Sequence, residues 1–152
     1  GMSFIDMAYL KKSDLKNGTI TYRRRKTGQQ LTVKWEKCME DIIAKYGENT
    51  ATRYLLPIIT NPCSDERTQY RNAICRINVA LKEVAGLAGL NIPLTMHVAR
   101  HCWASVAKSK NIPLSVISEG MGHDSEETTR IYLASLDTSV VDKANSLILK
   151  DF

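Results

Sequence analysis

The chain has 152 residues, 43% of them hydrophobic, which suits one ordinary domain and argues against disorder. A formal net charge of +5 and a pI near 9.1 favour a polyanionic partner over an acidic one. Nothing resembles a signal peptide, and no apolar run approaches the roughly 20 residues that span a bilayer, so no membrane association is expected. Cys38, Cys63, Cys75 and Cys102 lie far apart with no C-x-x-C pair and read as reduced, partly buried thiols of a reducing cytosol. Gly1 ahead of Met2 reads as a cloning remnant, so an excised domain is expected.

In chain order, residues 3–12 hold Phe4, Ile5, Met7, Ala8 and Leu10 behind Ser3 as N-cap, and predict a short helix. Asn17-Gly18 marks a turn. The segments 19–22 and 31–35 alternate and are rich in β-formers, so they predict a hairpin, with Arg23 to Gln30 as a charged tip. Glu36 to Tyr46 places Cys38, Met39, Ile42, Ile43 and Tyr46 at helical spacing, stopped by Gly47. Tyr54 to Ile59 is a short apolar stretch ended by Asn61-Pro62.

Asp65 to Ala88 predicts the longest helix, with Tyr70, Ile74, Ile77, Leu81, Val84 and Leu87 as one stripe. Thr95 caps a helix carrying His97 that stops near Pro113, Leu114 to Gly120 is a further short helix, and Glu126 to Ser135 carries Tyr132. Val140 to Leu149 predicts a terminal amphipathic helix. The fold class expected is mainly α with a small antiparallel β-sheet, in one domain over residues 1–152.

The chemistry concentrates between His97 and Tyr132. His97 and Arg100 are one helical turn apart and share a face. The planar fork of Arg100 can bind two phosphate oxygens and offset charge that builds on them, although a buried salt bridge is the blander fate of an arginine. His97 can hydrogen-bond the same phosphate or help move a proton, or else be a satisfied core histidine. His123 follows a Gly120-Met121-Gly122 turn that allows close backbone approach; it suits a donor to the second oxygen, or a turn histidine. Tyr132 can attack a phosphodiester if its phenol, with a pKa near 10, loses its proton as it attacks; a core tyrosine is the alternative.

These residues carry a resemblance. H-V-A-R-H-C-W-A-S resembles the His-x-x-Arg box of tyrosine recombinases, the phage-integrase family, and M-G-H-D-S-E-E-T-T-R-I-Y resembles that family's Leu-Gly-His…Thr-x-x-Tyr box. Upstream, SFIDMAYLKKSDLKNGTITYRRRKTGQQLTV resembles the opening helix and β-hairpin of the catalytic domain. The blocks recur in order over nearly the whole chain, and the first is most similar to integrases of Bacteroides-type mobile elements.

The resemblance implies a C-terminal catalytic domain without the N-terminal DNA-binding domains of its relatives. It implies double-stranded DNA as partner, a tetramer on two duplexes, a bacterial cytoplasmic location and no small-molecule substrate. Tyr132 would form a 3′-phosphotyrosine with Arg100, His97 and His123 around the phosphate. Because the linkage keeps the phosphodiester energy, neither ATP nor a cofactor is implied. Lys26, on the hairpin tip, would protonate the leaving 5′-oxygen, with Arg25 as the competing group. Arg23, Arg24, Arg25 and Lys26 otherwise read as a solvated run or as phosphate contacts.

One position departs from the pattern. The family carries another phosphate-binding arginine in the first block, and counting back from Asp6 and Asp14 reaches Ser3. Either serine replaces it or an arginine preceded Gly1. A catalytically inactive DNA-binding module that kept the fold is therefore the alternative function. His101 makes H-x-x-x-H with His97, but the H-E-x-x-H form of zinc hydrolases needs Glu where Val98 stands, so no metal is expected. His101 then supports the fold or orients Arg100, and Trp103 and Ala104 read as packing beneath the site. The helix at Val140 to Leu149 would dock on a neighbouring protomer or fold into its own core.

Overall fold

A computed structural model describes residues 1–46 and 51–134. Among them are six α-helices and one small antiparallel sheet, as the patterning predicts, although the sheet has three strands where a two-stranded hairpin is expected. The helix expected at Val140 to Leu149 and the stop at Gly47 lie outside the described residues.

Helix α1 (Phe4–Ala8) starts at Ser3, whose hydroxyl oxygen accepts the Asp6 amide at 3.4 Å. It is shorter than residues 3–12. After Tyr9 the chain straightens so that Lys11 can bridge to Tyr54, and then tightens into a 3-10 turn over Lys12–Asp14. Strands β1 (Leu15–Lys16), β2 (Thr19–Arg23) and β3 (Gln30–Lys34) follow in that order across the sheet. Asn17 and Gly18, both at positive φ, join the first two strands, so the Asn-Gly pair makes a hairpin of its own. The register pairs Ile20 with Val33 and Tyr22 with Leu31. Period-two alternation buries Ile20, Tyr22 and Leu31 on one face, against Leu10.

Helix α2 (Lys37–Ala44) buries nothing; Ile42 and Tyr46 are exposed, so the apolar stripe read there is not core among the described residues. Tyr54 and Ile59 are buried, but the segment between them forms no helix or strand. Helix α3 (Glu66–Leu87) begins where Asp65 accepts the Thr68 amide at 2.7 Å. Its predicted stripe is only half-buried and runs out at Val84 and Leu87, which are exposed, whereas the small residues Ala73 and Ala85 are buried. This helix of 22 residues is about 33 Å long. All four cysteines are exposed rather than partly buried, because α2, α3 and α4 turn these positions away from the core and Cys63 sits in a loop.

The second half is three helices packed together: α4 (Met96–Ser109), capped by Thr95, α5 (Leu114–Met121) and α6 (Glu126–Ala134). Ala104, Ile117, Met121 and Leu133 form their shared core. Ala104 is fully buried, as expected, but Trp103 is 41% exposed: its ring lies along Gly120, where a Cβ would come within 2.8 Å of it. The Gly-Met-Gly turn is also narrower than expected. Gly120 and Met121 continue α5, and Gly122 alone, at φ +60°, reverses the chain.

Candidate active site

Helix α4 presents Arg100 inward, buried to 8% exposure. Its guanidinium donates to the Met121 carbonyl at 2.5 Å and to the Gly1 carbonyl. Both acceptors are backbone oxygens at the end of a segment, so the fork is aimed where oxygen atoms collect. Burial first, and then the charge of Arg24, pull its pKa below the ordinary guanidinium value. A site that places two guanidinium groups together and partly dehydrates them is prepared for an anion.

Tyr132, on α6, enters the same space. Its hydroxyl lies close enough to the Arg100 guanidinium to feel that charge, and its ring is surrounded by imidazoles: 5.5 Å to His123, 6.0 Å to His97 and 3.8 Å to His101, centroid to centroid. Burial raises the phenol's pKa, and the positive charge of Arg100 beside it offsets part of that rise. The phenol is thus protonated at neutral pH. Tyr22, nearby in β2, is pushed up to about 12 by burial and by the charge of Asp6, so it is further from ionising still.

His123 follows the reversal at Gly122. Its Nδ1 lies 2.8 Å from the hydroxyl oxygen of Thr129, which is fully buried, and its Nε2 lies 3.5 Å from Arg100 Nη2. Arginine can only donate, so in this arrangement Nε2 is the bare nitrogen and Nδ1 carries the hydrogen. Burial, followed by the charges of Arg100, Arg24 and Lys26, lowers the His123 pKa from 6.5. His97 is exposed on α4, with Nε2 2.8 Å from Nε2 of His101.

The basic run separates into different environments. Arg24 is not solvated: it is buried, donates to the Gly122 carbonyl and lies with Nε 3.8 Å from Asp6 Oδ2. The reason is strand geometry. Ile20 and Tyr22 point inward along β2, and Arg24, two further on, keeps the same side. Arg23 donates to the Gly28 carbonyl at 3.2 Å, and Arg25 stacks its guanidinium 3.8 Å over the ring of Tyr9. Lys26 is exposed in the turn, close enough for its charge to be felt at His123.

Ser3 spends its hydroxyl on Asp6, donating to Oδ2 at 2.5 Å. Buried Asp6 also accepts the Arg25 amide at 2.9 Å, so one carboxylate ties the start of α1 to the hairpin turn and to Arg24. The residue reading missed the inward direction of Arg24, the Asp6 anchor, the Thr129 partner and the stacking of His101. Alternation along β2 carried the first of these; the others depend on contacts between elements. Among the described residues, no three His, Cys, Asp or Glu side chains gather as a metal site, and His97 and His101 are bonded to each other.

Known proteins fit this arrangement. The model of the phage integrase family matches residues 3–139. The crystal structure of XerA recombinase superposes with a TM-score of 0.68 at 22% identity, over 95% of this chain and 52% of that one. XerH site-specific recombinase bound to palindromic difH substrate, in a post-cleavage complex, gives 0.64 at 20% identity over 94% of this chain and 43% of that one. Its pre-cleavage complex with difH gives 0.59 at 20% identity, over 94% and 44%. The chain therefore spans about half the length of the solved structures it matches. No curated protein matches it. With a family match over most of its length and the fold of a tyrosine recombinase catalytic domain, the chain belongs to the phage integrase family.

Proposed function

We propose that this chain cuts and rejoins DNA for a site-specific recombinase. The Tyr132 hydroxyl oxygen attacks a backbone phosphorus, the bond from phosphorus to the 5′-oxygen breaks, and a 3′-phosphotyrosine and a free 5′-hydroxyl result. The observation that carries this reading is the Tyr132 ring set among the imidazoles of His97, His101 and His123, within reach of the Arg100 charge and in a single chain. Arg100 grips two non-bridging oxygens, and Arg24 adds a second guanidinium beside it, in a chain where Ser3 stands at the position counted for the family's first-block arginine. The phenol proton passes to an imidazole, and Lys26 protonates the leaving 5′-oxygen. Reversal of the same steps rejoins the strand without a cofactor.

Duplex DNA as partner is supported by the XerH structures, which hold difH substrate. In the whole protein, further DNA-binding domains and a tetramer on two duplexes complete the reaction, in a bacterial cytoplasm. The reading as an inactive DNA-binding module draws on Ser3, whose hydroxyl is committed to Asp6; the buried Arg24 weighs against it.

A duplex nicked just beyond the cleavage position traps the intermediate, because the short fragment diffuses away. The expected outcome is a covalent protein–DNA adduct that Tyr132→Phe abolishes. Adduct that persists in Tyr132→Phe sinks the assignment of the nucleophile. DNA binding without adduct in the wild type favours the inactive module.

A further inference from the structure

His101 sits one helical turn after His97 on α4 and has no part in the reaction as described above. Its ring lies flat on the ring of Tyr132, with planes 3° from parallel and centroids 3.8 Å apart. Its Nε2 meets Nε2 of His97 at 2.8 Å, edge to face. Its Nδ1 is buried with no hydrogen-bond partner among the described residues.

A nitrogen–nitrogen contact that short needs one proton between the two atoms, since two lone pairs or two N–H groups would repel. Each neutral imidazole carries a single N–H, so two arrangements remain. If His97 donated, His101 would carry its hydrogen on Nδ1, a buried N–H facing no acceptor. If His101 donates, only a bare lone pair is buried there. Protein interiors tolerate an unsatisfied acceptor better than an unsatisfied N–H. Burial, with the positive charge of Arg100 nearby, keeps His101 below the ordinary imidazole pKa, so it is neutral at pH 7 and has one hydrogen to give.

We propose that His101 is a positioning residue with two actions: it donates Nε2–H to His97, and its ring braces the ring of Tyr132. The donation forces His97 to carry its own hydrogen on Nδ1, which makes His97 a hydrogen-bond donor for the DNA phosphate and not a base. The phenol proton then goes to the bare Nε2 of His123, which becomes imidazolium as the Tyr132 oxygen bonds to phosphorus; the 5′-oxygen leaves with the proton of Lys26. This assignment rests on Tyr132 as nucleophile and decides between two roles that the spacing of His97 and Arg100 leaves open.

Two measurements test it. In the nitrogen-15 spectrum of the chain without DNA, His97 should show the Nδ1–H tautomer and His101 the Nε2–H tautomer, with a scalar coupling across the hydrogen bond. In His101→Phe, which keeps a flat ring against Tyr132, His97 should revert to Nε2–H. Adduct formation by that variant at saturating nicked DNA should slow roughly tenfold to a hundredfold, as for loss of one oriented donor, while DNA affinity and thermal midpoint hold. His101→Gln, whose amide can reach the position of Nε2, should recover much of the rate. His97 found as Nε2–H in the wild type overturns the proposal. So does a wild-type rate in His101→Phe, a Gln variant no faster than Phe, or a rate that falls only in step with affinity. The spectra do not depend on cleavage, so a chain that forms no adduct fails the proposed function without deciding this point.

Discussion

Arg24 is 7% exposed although it belongs to a run of four basic residues, and the difference lies in direction, not type. A lysine there could keep the charge but not the fork that reaches the Gly122 carbonyl while lying beside Asp6. If Arg24 supplies the second guanidinium, Arg24→Lys should lower the rate of adduct formation on the order of a hundredfold, with a smaller loss of DNA affinity. Single-turnover trapping and a binding titration separate the two; a rate within twofold of wild type ends the role. At this scale the chain was partly legible. His97, Arg100, His123 and Tyr132 are gathered because each lies on, or just beside, a helix whose caps and apolar stripe could be read. The Thr129 partner of His123 and the stacking of His101 were not, because a hydroxyl partner and a stacked ring are decided by how two helices meet.

Between elements, Gly122 is the tightest joint. It ends α5 in the left-handed region, and a Cβ on it would come within 2.7 Å of Arg24 Cδ and 2.9 Å of Leu31 Cδ1. The helical half of the molecule and the sheet therefore touch at a residue without a side chain, and Arg24 and His123 lie on either side of that contact. Gly122→Ala should destabilise the fold by about 2–4 kcal/mol, combining left-handed strain with overpacking. Gly28→Ala, at φ +74° with nothing within 4 Å, should cost only the strain, about 1–2 kcal/mol. Denaturant titration of both variants checks the difference, and equal losses would mean that the sheet yields freely at this joint. Helix positions and the β2–β3 hairpin followed from periodicity and capping. The two-residue strand β1 did not, since its signal is only the Asn-Gly turn, nor did the fading of the α3 stripe, since periodicity shows a face and not what covers it.

Across the whole molecule, residues from both ends of the described chain build one cationic centre in which two imidazoles, His101 and His123, resist protonation. For His101 and His123 the causes are the same: burial, then neighbouring positive charge, lower each pKa from 6.5. The unfolded chain binds more protons than the folded one as pH drops below 6.5. The stability these two residues contribute is therefore complete above that pH and is lost as pH falls through their folded pKa values. A phosphate held in the centre would reverse the local charge and raise the His123 pKa, so a DNA complex would bind more protons than the free protein. Linkage then requires opposite trends: acidification from pH 7.5 to about 5.5 should lower the thermal midpoint of the free chain and tighten its binding to duplex DNA at fixed ionic strength. His123→Asn should flatten part of the affinity trend. Binding that weakens on acidification would mean that the phosphate does not reach the space between Arg100 and His123, and the shared centre would lose its reason for being basic.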